Sequence, residues 1–164
     1  MTWRWLLADG ARPEPGAREA LEAAAAARPD ARLVGSRLLG SGAQPWPELF
    51  AKDRAIAAAR DRLLAVRALP ACSLLVRGDV LAEHGEPPLR PWGADLAWSA
   101  AVLRDGGGYL APRSVVRRAE WVAAGGRMAL LRGRARLVVV PGLTPPERLW
   151  LTFLLARAAM EHRA

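Results

Sequence analysis

The chain has 164 residues, 52% of them apolar and 24% charged, a composition that excludes a disordered tail and fits a folded domain with a core. Lysine and arginine number 24 against 16 aspartates and glutamates, a formal net charge of +8, and Lys52 is the single lysine, so the excess is carried by arginine. One cysteine, Cys72, excludes an internal disulfide framework or a cysteine-rich zinc site, and His84 and His162 are too far apart for a histidine metal cluster.

Taken in chain order, Trp3 to Ala8 is a short apolar run stopped by Asp9-Gly10, which predicts a buried strand ending in a turn. Ala17 to Arg28 is rich in Ala, Glu and Leu and predicts a helix, stopped by Pro29. Ala31 to Gly35 reads as a short strand, 40–47 as loop, and Glu48 to Leu64 as helix. Ala71 to Val76 is a strand, Gly78 to Glu83 a helical turn, and Glu86 to Pro91 a proline-rich loop. Asp95 to Leu103 predicts an amphipathic helix ended by Gly106-Gly107-Gly108. Tyr109 to Ala111 and Ser114 to Val116 are expected as separate strand pieces around Pro112. Residues 119–132 read as helix and Leu137 to Val140 as strand. A last helix begins at Thr144, with Pro145 and Pro146 in its first turn and Glu147 in the capping-box position.

Strands thus alternate with helices, which is α/β organisation. In an open α/β sheet ligands bind beyond the carboxyl ends of strands, where Asp9 falls. A turn-forming role before Gly10 accounts for Asp9 equally well. No stretch reaches the ~18 apolar residues of a membrane span, and the first apolar run is too short for a signal peptide, so a reducing cytoplasmic compartment is expected. Residues 1–112 sum to +1 and residues 113–164 to +7, so the excess charge lies in the last third. Such a segment suits nucleic acid, anionic lipid, an acidic partner, or simply a solvated surface. Without a nucleic-acid motif or an interleaved aromatic platform, nucleic acid ranks last.

Four stretches together resemble a known family. Trp5-Leu6-Leu7-Ala8-Asp9-Gly10 followed by Pro13 and a helix, Ala71-Cys72-Ser73-Leu74-Leu75-Val76-Arg77 ending in Gly85, Trp92-Gly93-Ala94-Asp95-Leu96-Ala97-Trp98-Ser99, and Gly108-Tyr109-Leu110-Ala111-Pro112 to Val115-Val116-Arg117-Arg118 occur in the order and at nearly the spacings of family 2 glycosyltransferases of the GT-A fold. The likeness is greatest to rhamnosyl- and galactofuranosyltransferase-like members. It covers residues 3–118 and implies a partial GT-A domain over 1–118, with a mixed sheet flanked by helices. Residues 119–164 then form a basic, mostly helical extension. About 80–100 residues of such a domain, by its usual size, have no counterpart before Met1.

The resemblance implies inverting transfer of a sugar from a nucleotide-diphosphate donor to a cell-envelope glycan or polyprenyl-linked acceptor. Asp95 falls on the general base, and an ordinary capping role at the helix start is the alternative. Asp9 falls on the acidic turn that holds Mg or Mn, with Ala8 and Gly10 where flanking acids would stand, so a metal is held weakly or not at all. Arg117 and Arg118, the latter in place of a histidine, would neutralise the donor diphosphate. Trp92 and Ser73 fall on the acceptor side, while Trp98 suits the core. Arg127, Arg132, Arg134 and Arg136, with the apolar face of Leu149, Trp150, Phe153, Leu154 and Met160, suit peripheral contact with the inner face of a membrane; a helix packed on the sheet is the alternative. The alternative to an enzyme is a GT-A remnant acting as a binding or scaffold module.

Overall fold

The computed structural model describes residues 2–39, 61–88 and 94–118, together with residues 56, 58, 59, 145, 148, 149 and 152. Its elements are β1 (Trp3–Leu7), β2 (Ala11–Pro13), α1 (Ala17–Ala26), β3 (Leu33–Leu39), β4 (Leu64–Ala65), β5 (Ser73–Arg77), α2 (Gly78–His84), α3 (Ala94–Val102) and β6 (Gly108–Arg118). The six described strands form one mixed sheet in the order β1-β5-β3-β6-β2, with β4 also beside β6. β3 and β6 run parallel, and the other described pairs are antiparallel.

Helices cover both faces. Leu21, Ala24 and Ala25 of α1 pack on Val34, Leu75, Tyr109 and Ala111. On the opposite face Val80 of α2 and Val102 of α3 join Leu33, Leu69, Leu74, Val76 and Leu110. β3 is therefore apolar on both sides, with Leu33 and Val34 both fully buried, as a central strand between two helical layers requires. Gly35 belongs to the α3 side, where a Cβ would come within 2.6 Å of the Leu69 side chain. α1 starts after Gly16 in the left-handed region (φ +82°), has Glu19 in its first turn, and ends before Pro29.

Several expectations are corrected. β1 is a half-buried edge strand, not a buried one, because it pairs with β5 alone among the described strands and leaves Leu7 42% exposed. Leu64, expected to close a helix, lies in β4; of that helix, Ile56, Ala58 and Ala59 are described and are helical. β3 extends four residues past the expected end. The pieces around Pro112 are one strand, β6, whose register with β3 skips from Ser36↔Ala111 to Arg37↔Val115. Pro112 lacks an N–H and is accommodated at this bulge, where the ladder is interrupted. The expected elements of 119–143 lie outside the described residues. Of the last helix, Pro145, Arg148, Leu149 and Thr152 are described and helical, with Leu149 73% exposed. Among the described residues no helix is long and apolar enough to cross a membrane.

β1 and β2 stand at opposite ends of the strand order, yet Ala8, Asp9 and Gly10 alone join them. Four flat strand spacings would measure about 19 Å. A fully extended link from Leu7 to Ala11 spans about 14 Å at most. The actual link is a tight turn closed by Ala11 N–H donating to Ala8 C=O at 3.0 Å, with Gly10 at φ +75°. The upper end of the sheet must therefore curl, and the β6 bulge supplies the bend. Small and apolar side chains (Ala8, Ala11, Ala17, Leu38, Cys72 and Val116) fill the inside of the curl.

Buried hydroxyls cross the same place. Trp5 Nε1 donates to Ser73 Oγ (3.0 Å), Ser73 and Ser36 share a 2.7 Å bond, Ser36 and Ser114 another of 2.7 Å, and Ser114 donates to the Ala17 carbonyl at 2.7 Å. An indole N–H only donates and a carbonyl only accepts, so the proton order is fixed: Ser73 donates to Ser36, and Ser36 to Ser114. One directed chain joins β1, β5, β3, β6 and α1.

At the other end of the sheet, Gly107 (φ +80°) accepts from Arg32 and Leu33 N–H, and a Cβ on it would lie 2.7 Å from the Asp30 carbonyl oxygen. Gly106 also has positive φ (+96°), but nothing lies within 4 Å of its Cβ position. Gly106→Ala is expected to cost about 1–2 kcal/mol, the left-handed penalty alone, and Gly107→Ala distinctly more in urea unfolding. Equal losses would show that the backbone contact at Gly107 contributes nothing.

Candidate functional site

β1, β3 and β6 point the same way, so their carboxyl ends share one end of the sheet, where β5 begins. Four of the expected residues, Asp9, Asp95, Arg117 and Arg118, fall there. Asp9 is exposed in the 8–10 turn, which is tied to β5 by Ala8 N–H donating to Cys72 C=O at 3.0 Å. One residue before Cys72, Ala71 N–H donates to Asp95 Oδ2 at 3.0 Å. On the other side of the turn, Ala11 pairs with Arg118 and Arg12 with Arg117. The turn thus links the Asp95 region to the end of β6.

Asp95 is the second residue of α3, and its carboxylate accepts from the 71 amide while its place in the first turn sets it at the positive end of the helix. Ser99, one turn on, accepts from Leu69 N–H at 2.9 Å and donates to Leu96 C=O at 3.0 Å. Two α3 side chains therefore clamp residues 69–71 against the helix. Trp98 of α3 packs partly buried against the core, with its Nε1 donating to His84 C=O at 3.2 Å.

Arg117 Nε donates to Glu14 Oε1 at 2.7 Å, an ion pair on the open surface. For Arg118 the backbone pairing is described and the side chain is not; Trp92 lies outside the described residues. Ser73, expected on the acceptor side, is 1% exposed and its hydroxyl is engaged by Trp5 and Ser36, so it is part of the buried chain and does not line a cleft. A cavity of about 290 Å³ does open beside the turn, lined by Arg4, Trp5, Leu6, Leu7, Ala8, Ala71, Glu86 and Pro87.

The donor set fits a divalent cation poorly. Mg and Ca-like hard ions take six or more oxygens, whereas the turn offers the single carboxylate of Asp9. Among the described residues no group of three or more His, Cys, Asp or Glu side chains could hold a metal ion.

Sequence reasoning missed Arg12 and Arg37. β3 reads Leu-Val-Gly-Ser-Arg-Leu-Leu, and an arginine inside an otherwise apolar central strand was the available signal. Arg37 is half-buried, and its Nε is sealed from solvent with no hydrogen-bond partner among the described residues. A buried donor left unpaired costs about 1–3 kcal/mol.

The opposite, amino end of the sheet holds a cavity of about 460 Å³ lined by Asp30, Arg67, Asp105, Gly106, Gly107 and Tyr109 among others. Tyr109 donates its hydroxyl to Asp30 Oδ2, with the Arg28 guanidinium 5.0 Å from its ring centre. The bond to Asp30, with burial and the Asp30 charge, raises the phenol above its ordinary value of 10.0.

Neither a scan of protein-family models nor a search of curated proteins finds a match to this chain.

Two outcomes are expected. Asp95→Ala strands the Ala71 N–H and lowers stability by about 1–3 kcal/mol in denaturant unfolding, while Asp95→Asn, which keeps an acceptor oxygen, loses less. Equal losses would mean that the Ala71 bond does not hold the 69–71 segment. Tyr109 is the single tyrosine, so ultraviolet titration reads it alone. Because its folded value is raised, its contribution to stability is complete below the ordinary value of 10.0 and is lost as pH rises through the folded value. Tyr109→Phe should flatten that alkaline loss. A phenol titrating at its ordinary value in the folded protein would contradict the Asp30 bond.

Proposed function

We propose that the chain is an inverting glycosyltransferase-like protein of GT-A type, transferring a sugar from a nucleotide-diphosphate donor to a cell-envelope glycan or polyprenyl-linked acceptor. The observation that carries this reading is the convergence of Asp9, Asp95 and the Arg117–Arg118 end of β6 at the carboxyl end of one sheet. These residues come from three separate motifs of the sequence, with Asp9 about 85–110 positions before the other two.

In this reading Asp95 accepts the proton of the attacking hydroxyl through a carboxylate oriented by the Ala71 amide. Developing charge on the leaving diphosphate is met by guanidinium groups, since the described donor set does not build a metal site. Mg or Mn would then add little to donor binding. A place on the inner face of a membrane, with the basic 119–164 extension as the contact, belongs to the same proposal.

A second reading is a GT-A remnant that binds but does not transfer. The engagement of Asp95 Oδ2 with a backbone amide favours it, as do Ala8, Gly10, Ala94 and Ala97 in acidic positions of the resembled motifs.

The test is release of nucleoside diphosphate from a panel of nucleotide sugars by the whole chain, with and without Mg or Mn. Turnover that falls about a hundredfold or more in Asp95→Asn with donor binding kept is expected of the enzyme. Donor binding without release supports the remnant. Absence of nucleotide-diphosphate binding under every metal condition would overturn both.

A further inference from the structure

Three arginines share one face of the curled sheet. Arg12 on β2 stands directly opposite Arg117 on β6. Arg117 in turn pairs with Leu39 of β3, which places Arg37, two residues back along β3, diagonally beside it. Strand alternation puts Arg12, Arg37, Leu39, Val115 and Arg117 on one face, the α3 side on which Gly35 meets Leu69. Like charges directly opposite in adjacent strands repel. Glu14 is the described acid paired with this group, through Arg117 Nε, and leaves the cluster at a net +2. Arg12 is exposed, and the sealed Nε of Arg37 has no acceptor among the described residues.

We infer that Arg37, together with Arg12 and Arg117, forms a built oxyanion site that takes a phosphate or diphosphate group. A guanidinium fork matches two oxygens of one phosphoryl group, and three forks around one face match a group with several charged oxygens. The net charge of the cluster suits a multiply charged diphosphate over a single carboxylate. The three residues lie at the carboxyl end of β3 and β6, the same end as Asp9 and Asp95. Identifying the diphosphate as that of a sugar donor rests on the proposed function; the oxyanion site itself does not.

The experiment is calorimetric titration of the whole chain with inorganic pyrophosphate at low salt in the presence of EDTA, with citrate as the charge-matched control. Pyrophosphate is expected to bind, more weakly as salt is raised, and to outcompete citrate. Arg37→Met should weaken it about tenfold or more, Arg37→Lys should fall between, and Arg113→Ala, which removes an exposed ion pair with Asp61 elsewhere, should leave it unchanged. The unliganded Arg37→Met protein should melt no lower than the wild type, because it loses a buried donor that had no partner. An Arg37→Met protein that melts lower and binds pyrophosphate like the wild type would make Arg37 a structural residue and overturn the site. So would citrate binding as tightly as pyrophosphate, or no pyrophosphate binding at all. Arg37-dependent pyrophosphate binding without nucleotide-sugar turnover would uphold this site while the proposed reaction falls. Nucleotide-sugar turnover untouched by Arg37→Met would do the reverse.

Discussion

Ala8, Asp9 and Gly10 must join two strands from opposite ends of the sheet order, and a flat sheet does not allow it. The closure is possible because β6 carries an extra length of chain between Ala111 and Val115 and bends there. It is tight because the residues on the inside of the bend are small: Ala8, Ala11, Ala17 and Cys72 let backbones approach where larger side chains would hold them apart. The same closure fixes where chemistry is available. It brings an exposed carboxylate, the amide bound by Asp95 and the arginine-rich end of β6 to one rim.

Inside the curl the hydroxyl chain supplies direction as well as cohesion. Its two ends are a group that only donates and a group that only accepts, so each serine between them has one assigned proton. Any register slip of β3 by one residue would carry Ser36 to the opposite face and leave Ser73 and Ser114 without their bridging partner. The buried polar chain thus specifies the register of the strands whose bend closes the sheet, a task that interchangeable apolar contacts would perform less strictly.

The sequence was most informative where a segment's structure follows from its own composition. α1 is a run of strong helix formers bounded by Gly16 and Pro29, and β5 is a continuous apolar run between small and charged residues. It was least informative where structure is conferred by a partner. β2 is the tripeptide Ala-Arg-Pro, extended because β6 lies beside it, and β4 is two residues held the same way. The apolar run of β1 looks alike at the edge or the centre of a sheet, and it is pairing with β5 alone among the described strands that makes it an edge. Pro112 signalled an interruption but not that the strand resumes beside the same neighbour. For the site, Asp9 and Asp95 were legible as acids at a turn and a helix start. Their relation through Cys72 and Ala71 is tertiary, and so is the burial that removes Ser73 from any cleft.

The arginine excess acquires a more local meaning from the same geometry. Several arginines of the described surface are paired with an acid, as Arg18 with Glu22 and Arg77 with Asp79, where exposure keeps the cost of charge small. The Arg77–Asp79 pair even holds Asp79 below its usual carboxylate range, chiefly through the hydrogen bond from Arg77, with burial opposing and the Arg77 charge adding to it. Arg37 departs from this pattern. It occupies a position in a central strand, beside two further cations set there by register. Local repulsion and an unpaired donor both oppose this arrangement, so its stability is supplied by the curl around it: the apolar corner of Leu38 and Val116 on one side of the strand and the hydroxyl chain one residue away. A fold that bends its sheet tightly enough to close a three-residue turn, and sets Arg12, Arg37 and Arg117 on one face of the bend, has placed mutually repelling charge at the end of the sheet where ligands of α/β proteins bind.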